Sequence, residues 1–288
     1  MKILLTGGRG MLGRTLQRVL GKKHQVIATG LPEADVTDYR KLFELLAAER
    51  PDAVLHCAAM TQVDDCETQR ERAYKINATG SANIALCCQR LGIRLIAFST
   101  DYVFSGSGRE PLDEKMYADG GETIYGQSKL MGERVILSFC PGALICRLAS
   151  LYGAGGPSFL HTIIKLADGT REQLKIVDDQ RGNPTSCDAV AEHILLLLER
   201  EDLSGICHLS CENEASWYDF AREIYRLKGI DQKTVPCTTA EFPRPAKRPA
   251  YSVLKKSFLA ENGLPPMPDW KEALAEFFSG YPDEMDKI

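Results

Sequence analysis

Residues 2–20 read KILLTGGRGMLGRTLQRVL, and the fold follows from this stretch. Lys2–Thr6 is a short run with apolar residues on both faces, as a buried parallel strand requires. Met11–Leu20 carries its apolar residues at helical spacing. Between the two, Gly7, Gly10 and Gly13 stand in the order G-x-x-G-x-x-G. Glycines there permit the tight turn, let the backbone approach a pyrophosphate and allow close packing of helix on strand, with the helix N-terminus facing the phosphates. At the head of a βαβ unit this pattern points to a dinucleotide site rather than an ordinary tight turn.

Outward from that loop, short β-rich runs alternate with longer periodic segments. QVIAT, DAVLHCAA, RLIAFST and ALICRLAS read as further buried strands. Helical segments lie between them: DYRKLFELLAAER, the region from Arg70 to Leu91, and one opening at Tyr125. The alternation predicts an α/β fold, a Rossmann-like doubly wound parallel sheet spanning residues 1–150. From Leu151 the pattern changes to Gly- and Pro-bearing turns, short strands (KIVDD, GICHLS) and two amphipathic helices near Trp217–Leu227 and Trp270–Phe278. Residues 151–288 are therefore expected to form a smaller α/β substrate-binding lobe with segments returning to the main sheet. Trp217 and Trp270, with apolar neighbours at helical spacing, read as core residues.

Composition narrows the function. The chain has 288 residues, 44% of them hydrophobic, and its apolar runs are too short to span a bilayer. MKILLTGG ends in glycines after a few apolar residues and reads as a strand, not as a signal peptide. A net charge of −4 gives no electrostatic case for nucleic acid. The ten cysteines are scattered through apolar segments, apart from the adjacent pair Cys87–Cys88, and no Cys/His cluster has metal-ligand spacing. Reduced, buried thiols in a cytoplasmic protein without a metal site are the expectation.

The residues after the second strand bear on the cofactor. An acid at that strand's tip grips the ribose of NAD, yet here the strand ends ATGLPEAD. Arg9, inside the glycine loop, offers a guanidinium to a 2′-phosphate. This favours NADPH, with NADH as the alternative, since Glu33 or Asp35 can still reach a ribose.

STDYVF (Ser99–Phe104) and YGQSK (Tyr125–Lys129) carry the chemistry. Tyr125 and Lys129 share a helix face. An ammonium near the phenol favours phenolate and makes tyrosine a usable proton carrier. Thr100 ends the fourth strand, at the sheet edge where ligands bind, and can hold a substrate carbonyl beside Tyr125. Arg248, in RPAKRPAYS, reads either as a diphosphate contact or as a solvated loop residue.

With TGGRGMLG, RPDAVLHCAAMTQVDDCE, INATG, STDYVFSG, YGQSKLMGE, DDQRGNPTS and RPAYSVL in place, nearly the whole chain resembles the extended short-chain dehydrogenase/reductases, and within them the dTDP-4-dehydrorhamnose reductase family. The resemblance implies NADPH-dependent reduction of a nucleotide-linked 4-keto-6-deoxysugar. It implies a catalytic trio of Thr100, Tyr125 and Lys129, with Asp101 beside the sugar. Cofactor contacts are implied at Gly10, Met11 and Leu12, at Asp35 and Val36 near adenine, at Ala58, Ala59 and Met60, and at Ser99. In this fold class an asparagine at the place of Asn77 often supports the lysine through water.

One departure stands out. The family's R-T-S-W-x-Y-G is RLASLYG here, with Ser150 in place of a substrate-facing tryptophan. A 4,6-dehydratase or epimerase is the nearest rival, but dehydratases carry Asp-Glu after the threonine and this chain has Asp101-Tyr102. A second rival is a non-catalytic NADP-binding subunit like the β subunit of methionine adenosyltransferase, which retention of all three catalytic residues opposes. A nucleotide sugar is the expected partner, and a homodimer is compatible with the sequence.

Overall fold

The computed structural model describes residues 1–282. Its centre is a six-stranded sheet of β1 (Lys2–Thr6), β2 (Gln25–Ala28), β3 (Ala53–His56), β4 (Arg94–Thr100), β5 (Leu144–Leu148) and a last strand, Gly205–His208. The spatial order is β2-β1-β3-β4-β5-last strand, and every pairing is parallel. From β2 the chain returns across β1 and lays β3 on its other side. That reversal opens a crevice at the carboxyl ends of β1 and β3, the place where open α/β sheets take their ligands.

The connecting helices are α1 (Met11–Leu20), α2 (Tyr39–Glu49), α3 (Val63–Thr68), α4 (Arg70–Tyr74), α5 (Gly80–Leu91) and α6 (Ile124–Phe139). Alternate strand residues face opposite layers. Ile3 and Leu5 pack with Leu16 and Leu20 of α1, while Leu4 packs with Leu42 of α2, Ile84 of α5 and Ile136 of α6. Both faces being covered explains why the strands read as unbroken apolar runs. The stretch expected as one helix from Arg70 to Leu91 is α4 and α5 joined by a π turn, Lys75–Thr79, which buries Asn77. A π turn inserts one extra residue per turn and leaves no trace in apolar spacing over so short a length.

The C-terminal half packs on the face of the sheet that carries α1 and supplies the sheet's last strand beside β5. Cys187–Leu198, unassigned from sequence, is a helix packed on α1 and buried along most of its length. Its run HILLLL has no polar face and so lacks a helical period. Phe159–Leu166 and α3 are also helices that the sequence left unassigned. The two helices expected near Trp217 and Trp270 are found at Trp217–Lys228 and Trp270–Gly280. KIVDD contributes Leu174–Val177 to a two-stranded parallel ribbon with Thr234–Cys237, whereas GICHLS supplies the strand that extends the main sheet beside β5.

Candidate active site

A cleft of about 850 Å3 runs along the carboxyl edge of the sheet, from the loop after β2 to the start of α6. Gly7 adopts φ +67°, and a Cβ there would stand 2.7 Å from the Ala58 backbone nitrogen. At Gly13 a Cβ would stand 2.5 Å from the Gly7 carbonyl oxygen. The loop is thus closed against both the turn after β3 and the first turn of α1, and side chains at these two positions would break it. Gly10, the residue before α1, makes no side-chain cap, and the first turn holds no acidic residue. The free amides of that helix end face the cleft, ready for phosphate oxygens. Ser99 Oγ is buried on the same wall without a hydrogen-bond partner among the described residues. These features fit a dinucleotide.

Most residues expected at the cofactor line this cleft: Gly7, Gly10 to Gly13, Asp35, Val36, Ala58 to Met60, Ser99, Tyr125 and Lys129. Asp35 is fixed by the Thr37 amide at 2.9 Å and the Thr37 hydroxyl at 2.8 Å. Those bonds hold its carboxyl below the usual range. Arg9 and Asn77 stand outside the wall. Arg9 donates to Glu33 at 2.8 Å and to the Leu31 carbonyl, so its guanidinium is held at the rim by an acid that the sequence reading treated as a separate candidate. Asn77 accepts from the Met60 amide at 2.8 Å and donates to the Met60 carbonyl at 3.1 Å and Ser128 Oγ at 3.0 Å. Its side chain ties the loop after β3 to α6 rather than touching Lys129. Arg72 and Lys75 also line the cleft and carry no motif that marks them in sequence.

At the far end the reacting groups converge. Thr100 closes β4, and its hydroxyl donates to Asp101 Oδ1 at 3.0 Å while accepting from the Tyr102 amide at 3.2 Å. The Tyr125 phenol lies within hydrogen-bonding reach of Thr100. Thr123 caps α6 by accepting from the Gly126 amide at 3.0 Å, which sets the rotation that turns Tyr125 and Lys129 inward. Lys129 Nζ donates to the Phe98 carbonyl at 2.8 Å, and burial brings its pKa down to about 8. Burial pushes the phenol well above its ordinary value, and the groups acting on it are Thr100, Asp101 and Cys66. Burial thus keeps the tyrosine in its protonated form, the one a proton donor needs.

A second, narrower cavity opens from this end. Asp101, Tyr102 and Ser150 line both spaces, and Gln180, Arg181, Trp217, Arg248 and Ser252 complete the second. Ser150 adopts φ 44°, a left-handed backbone that orients the segment after β5 toward residues 182–185. Arg248 meets Asp64 through both terminal nitrogens, each at 3.0 Å. The pair holds Arg248 against an acid of α3 while its side chain, 23% exposed, remains on the wall of the second cavity. Trp217 departs from its expected core role: one side packs in a tilted contact on Phe159 at 4.7 Å between ring centroids, Nε1 donates to Gln180 at 3.1 Å, and the residue still forms part of the cavity wall. Trp270 is a core residue, as expected.

A six-stranded Rossmann-like sheet, a threonine at the end of β4, Tyr-x-x-x-Lys on α6 and C-terminal residues lining a cavity with Asp101 and Tyr102 define a protein of the extended short-chain dehydrogenase/reductase type. The family is narrower than that. The RmlD substrate binding domain matches residues 1–282, and the chain belongs to that family, as its motifs led one to expect. It is 38% identical over 282 residues to the dTDP-4-dehydrorhamnose reductase of Streptomyces griseus, covering 96% of this chain and 92% of the relative. The crystal structure of a dTDP-4-dehydrorhamnose reductase from Clostridium acetobutylicum superposes with a TM-score of 0.94 at 42% identity, over 98% of this chain and 100% of that one. The same enzyme from Bacillus anthracis, solved in complex with NADP, gives 0.94 at 35% identity, over 97% and 99%.

Proposed function

We propose that the protein is an NAD(P)H-dependent reductase of a nucleotide-linked 4-keto-6-deoxysugar, with dTDP-4-dehydro-L-rhamnose as substrate and dTDP-L-rhamnose as product. The observation that carries this reading is the convergence of Thr100, Tyr125 and Lys129 where the long cleft meets the second cavity, in a chain of this family. The relatives' names and the NADP complex support the same substrate and cofactor classes.

NADPH, when bound, supplies the hydride. Gly7, Gly10 and Gly13 would hold its pyrophosphate at the amides of α1, and Lys129 would anchor its ribose. Thr100 orients the sugar carbonyl toward Tyr125, whose phenol gives its proton to the oxygen as the carbon is reduced. Dehydration needs a second acid after Asp101, and Tyr102 stands there, its ring edge-on to Tyr125 at 5.6 Å. All ten cysteines are free thiols, nine of them buried, which supports a cytoplasmic setting. Among the described residues no helix is long and apolar enough to cross a membrane.

The test is an assay of the purified protein with NADPH and dTDP-4-dehydro-L-rhamnose, following cofactor oxidation and identifying the sugar formed. dTDP-L-rhamnose is the expected product. Failure to oxidise NADPH with any dTDP-4-ketosugar supplied would end this reading.

A further inference from the structure

The motif RPDAVLHCAAMTQVDDCE ends in α3, whose acids have no part in the reduction as described so far. Asp64 and Glu67 stand three apart and so share a face of this helix. Glu67 Oε1 accepts from the Ile124 amide at 2.8 Å. Ile124 is the first residue of α6, and its amide is one of the donors that a helix start leaves unpaired. The Ile124 side chain also packs with Cys66 of α3, and Tyr125 lies against the same cluster. Through backbone and side chain, α3 fixes the residue that precedes Tyr125.

The other acid reaches the sugar side. Asp64 Oδ1 accepts from the Ala246 amide at 3.1 Å and from Arg248 Nη1 at 3.0 Å, while Oδ2 accepts from Arg248 Nη2 at 3.0 Å. From Ala250 onward the segment is held elsewhere. The Tyr251 amide donates to the Gly106 carbonyl at 3.1 Å, and Arg181 exchanges backbone bonds with Ala250 at 2.9 Å and Ser252 at 2.8 Å. Its start, residues 246–248, rests on Asp64 and on an exposed pair of Lys247 with Glu122, which contributes little. The Arg248 guanidinium keeps the Asp64 carboxyl below the usual carboxylate range, so the pair is ionic at neutral pH. α3 itself follows directly on the cofactor turn: residues 58–63 line the cleft, and Cys66 Sγ meets the Met60 carbonyl at 3.8 Å.

We propose that α3 is a positioning element for the reaction, with Glu67 setting the place of Tyr125 and Asp64 the place of Arg248 on the wall of the second cavity. This rests on the reading of Tyr125 as the proton donor to a nucleotide-linked ketosugar. Neither acid lines the cleft or the second cavity, so each acts through another residue. Glu67 acts through the Ile124 amide and bears on the step in which the proton moves. Asp64 acts through Arg248 and Ala246 and bears on how tightly the sugar nucleotide is held. One helix of six residues therefore carries two separable effects, one on kcat and one on KM.

The experiment measures kcat and KM for ketosugar reduction in the wild type, Glu67→Ala, Glu67→Gln, Asp64→Ala and Asp65→Ala, with NADPH binding followed by fluorescence to show that each is folded. Glu67→Ala should lose about 10- to 100-fold in kcat, with KM for the sugar nucleotide within about twofold of wild type. Glu67→Gln should recover kcat to within about threefold of wild type, because its amide oxygen still accepts from Ile124. Asp64→Ala should raise KM about 5- to 20-fold and change kcat by less than about threefold. Asp65, exposed on the same helix, is the control, and Asp65→Ala should move neither parameter. If kcat and KM change together in both Glu67→Ala and Asp64→Ala, or if Glu67→Gln is as slow as Glu67→Ala, the proposal is overturned and α3 is a structural helix alone. Wild-type kinetics in both alanine variants would overturn it as well. A lower KM in Asp64→Ala would show that Asp64 competes for Arg248 rather than placing it, and that half of the proposal would fall. A wild type that reduces no ketosugar nucleotide would end the reading of Tyr125 itself, a result distinct from an active enzyme whose variants do not split.

Discussion

The long cleft and the second cavity meet at Asp101, Tyr102 and Ser150, yet they are built on different principles. The cleft is walled by turns that follow successive strands of one sheet, at Gly7, Ala58 and Thr100, and by the amides of α1. Its recognition elements belong largely to the backbone. The cavity is walled by side chains from segments far apart in the chain, near residues 101, 150, 181, 217, 248 and 252. A backbone-built site tolerates side-chain change except where a Cβ collides, while a side-chain-built site changes its ligand with one substitution. Shared cofactor chemistry beside divergent sugar specificity follows from that difference.

Tyr125 sits at the junction, and its replacement should have the largest effect. Tyr125→Phe keeps the ring and the packing against Tyr102 but removes the proton donor, so kcat should drop by ~100- to 10,000-fold. NADPH and sugar nucleotide should bind as before. Near-normal turnover would mean that another group protonates the oxygen.

On the cofactor side alone, Gly7→Ala should come next. The residue is left-handed, and the added methyl would lie 2.7–2.8 Å from backbone atoms of Cys57 and Ala58. Strain and overpacking together cost on the order of 2–4 kcal/mol. Thermal unfolding should shift down by roughly 5–10 °C. NADPH affinity should fall with it, while any sugar-nucleotide binding measured without cofactor is spared. An unchanged melting midpoint would show that the loop relaxes and is not locked against β3.

The same contrast explains what could be read in advance. β4 and α1 were legible to the residue because each is a local pattern, an apolar run or a helical period, fixed by the layer it packs on. The glycine loop and Tyr-x-x-x-Lys were legible because their chemistry needs fixed spacing within one element. Arg248 was not, since its partner Asp64 lies 184 residues away and no spacing connects them. Trp217 was read correctly as a helix start and wrongly as core alone, because periodicity says which face turns inward but not whether a cavity reaches that face. Arg9 was found, but Glu33 was not seen as its counter-ion.

On the sugar side, Ser150→Trp should alter substrate binding with little effect on NADPH. Serine already holds the left-handed backbone, so the change adds an indole to a wall that also carries Trp217 rather than a new backbone strain. Aromatic contact is worth about 0.5–1.5 kcal/mol beyond area burial. The KM for dTDP-4-dehydro-L-rhamnose should therefore fall about 2- to 10-fold if this is the native sugar. Loss of its turnover would instead indicate a bulkier native substrate. No change in KM or kcat would remove Ser150 from the wall.

The smallest effect is expected at the rim of the cleft. Arg9 and Glu33 are 65% and 55% exposed, and an exposed pair of this kind contributes about 0.2–1 kcal/mol. A 2′-phosphate at this rim would have to draw the guanidinium away from Glu33, so the net preference for NADPH over NADH is a difference between two ion pairs and should be modest. Arg9→Ala should weaken NADPH by about 2- to 5-fold and leave NADH nearly unchanged. Glu33→Gln removes the competing acid and should tighten NADPH by a similar factor, again with little effect on NADH. The two substitutions moving NADPH in opposite directions, with NADH still, is the outcome that assigns Arg9 to the 2′-phosphate. Equal losses of both cofactors in Arg9→Ala would place it instead at the pyrophosphate, or in support of the loop through the Leu31 carbonyl.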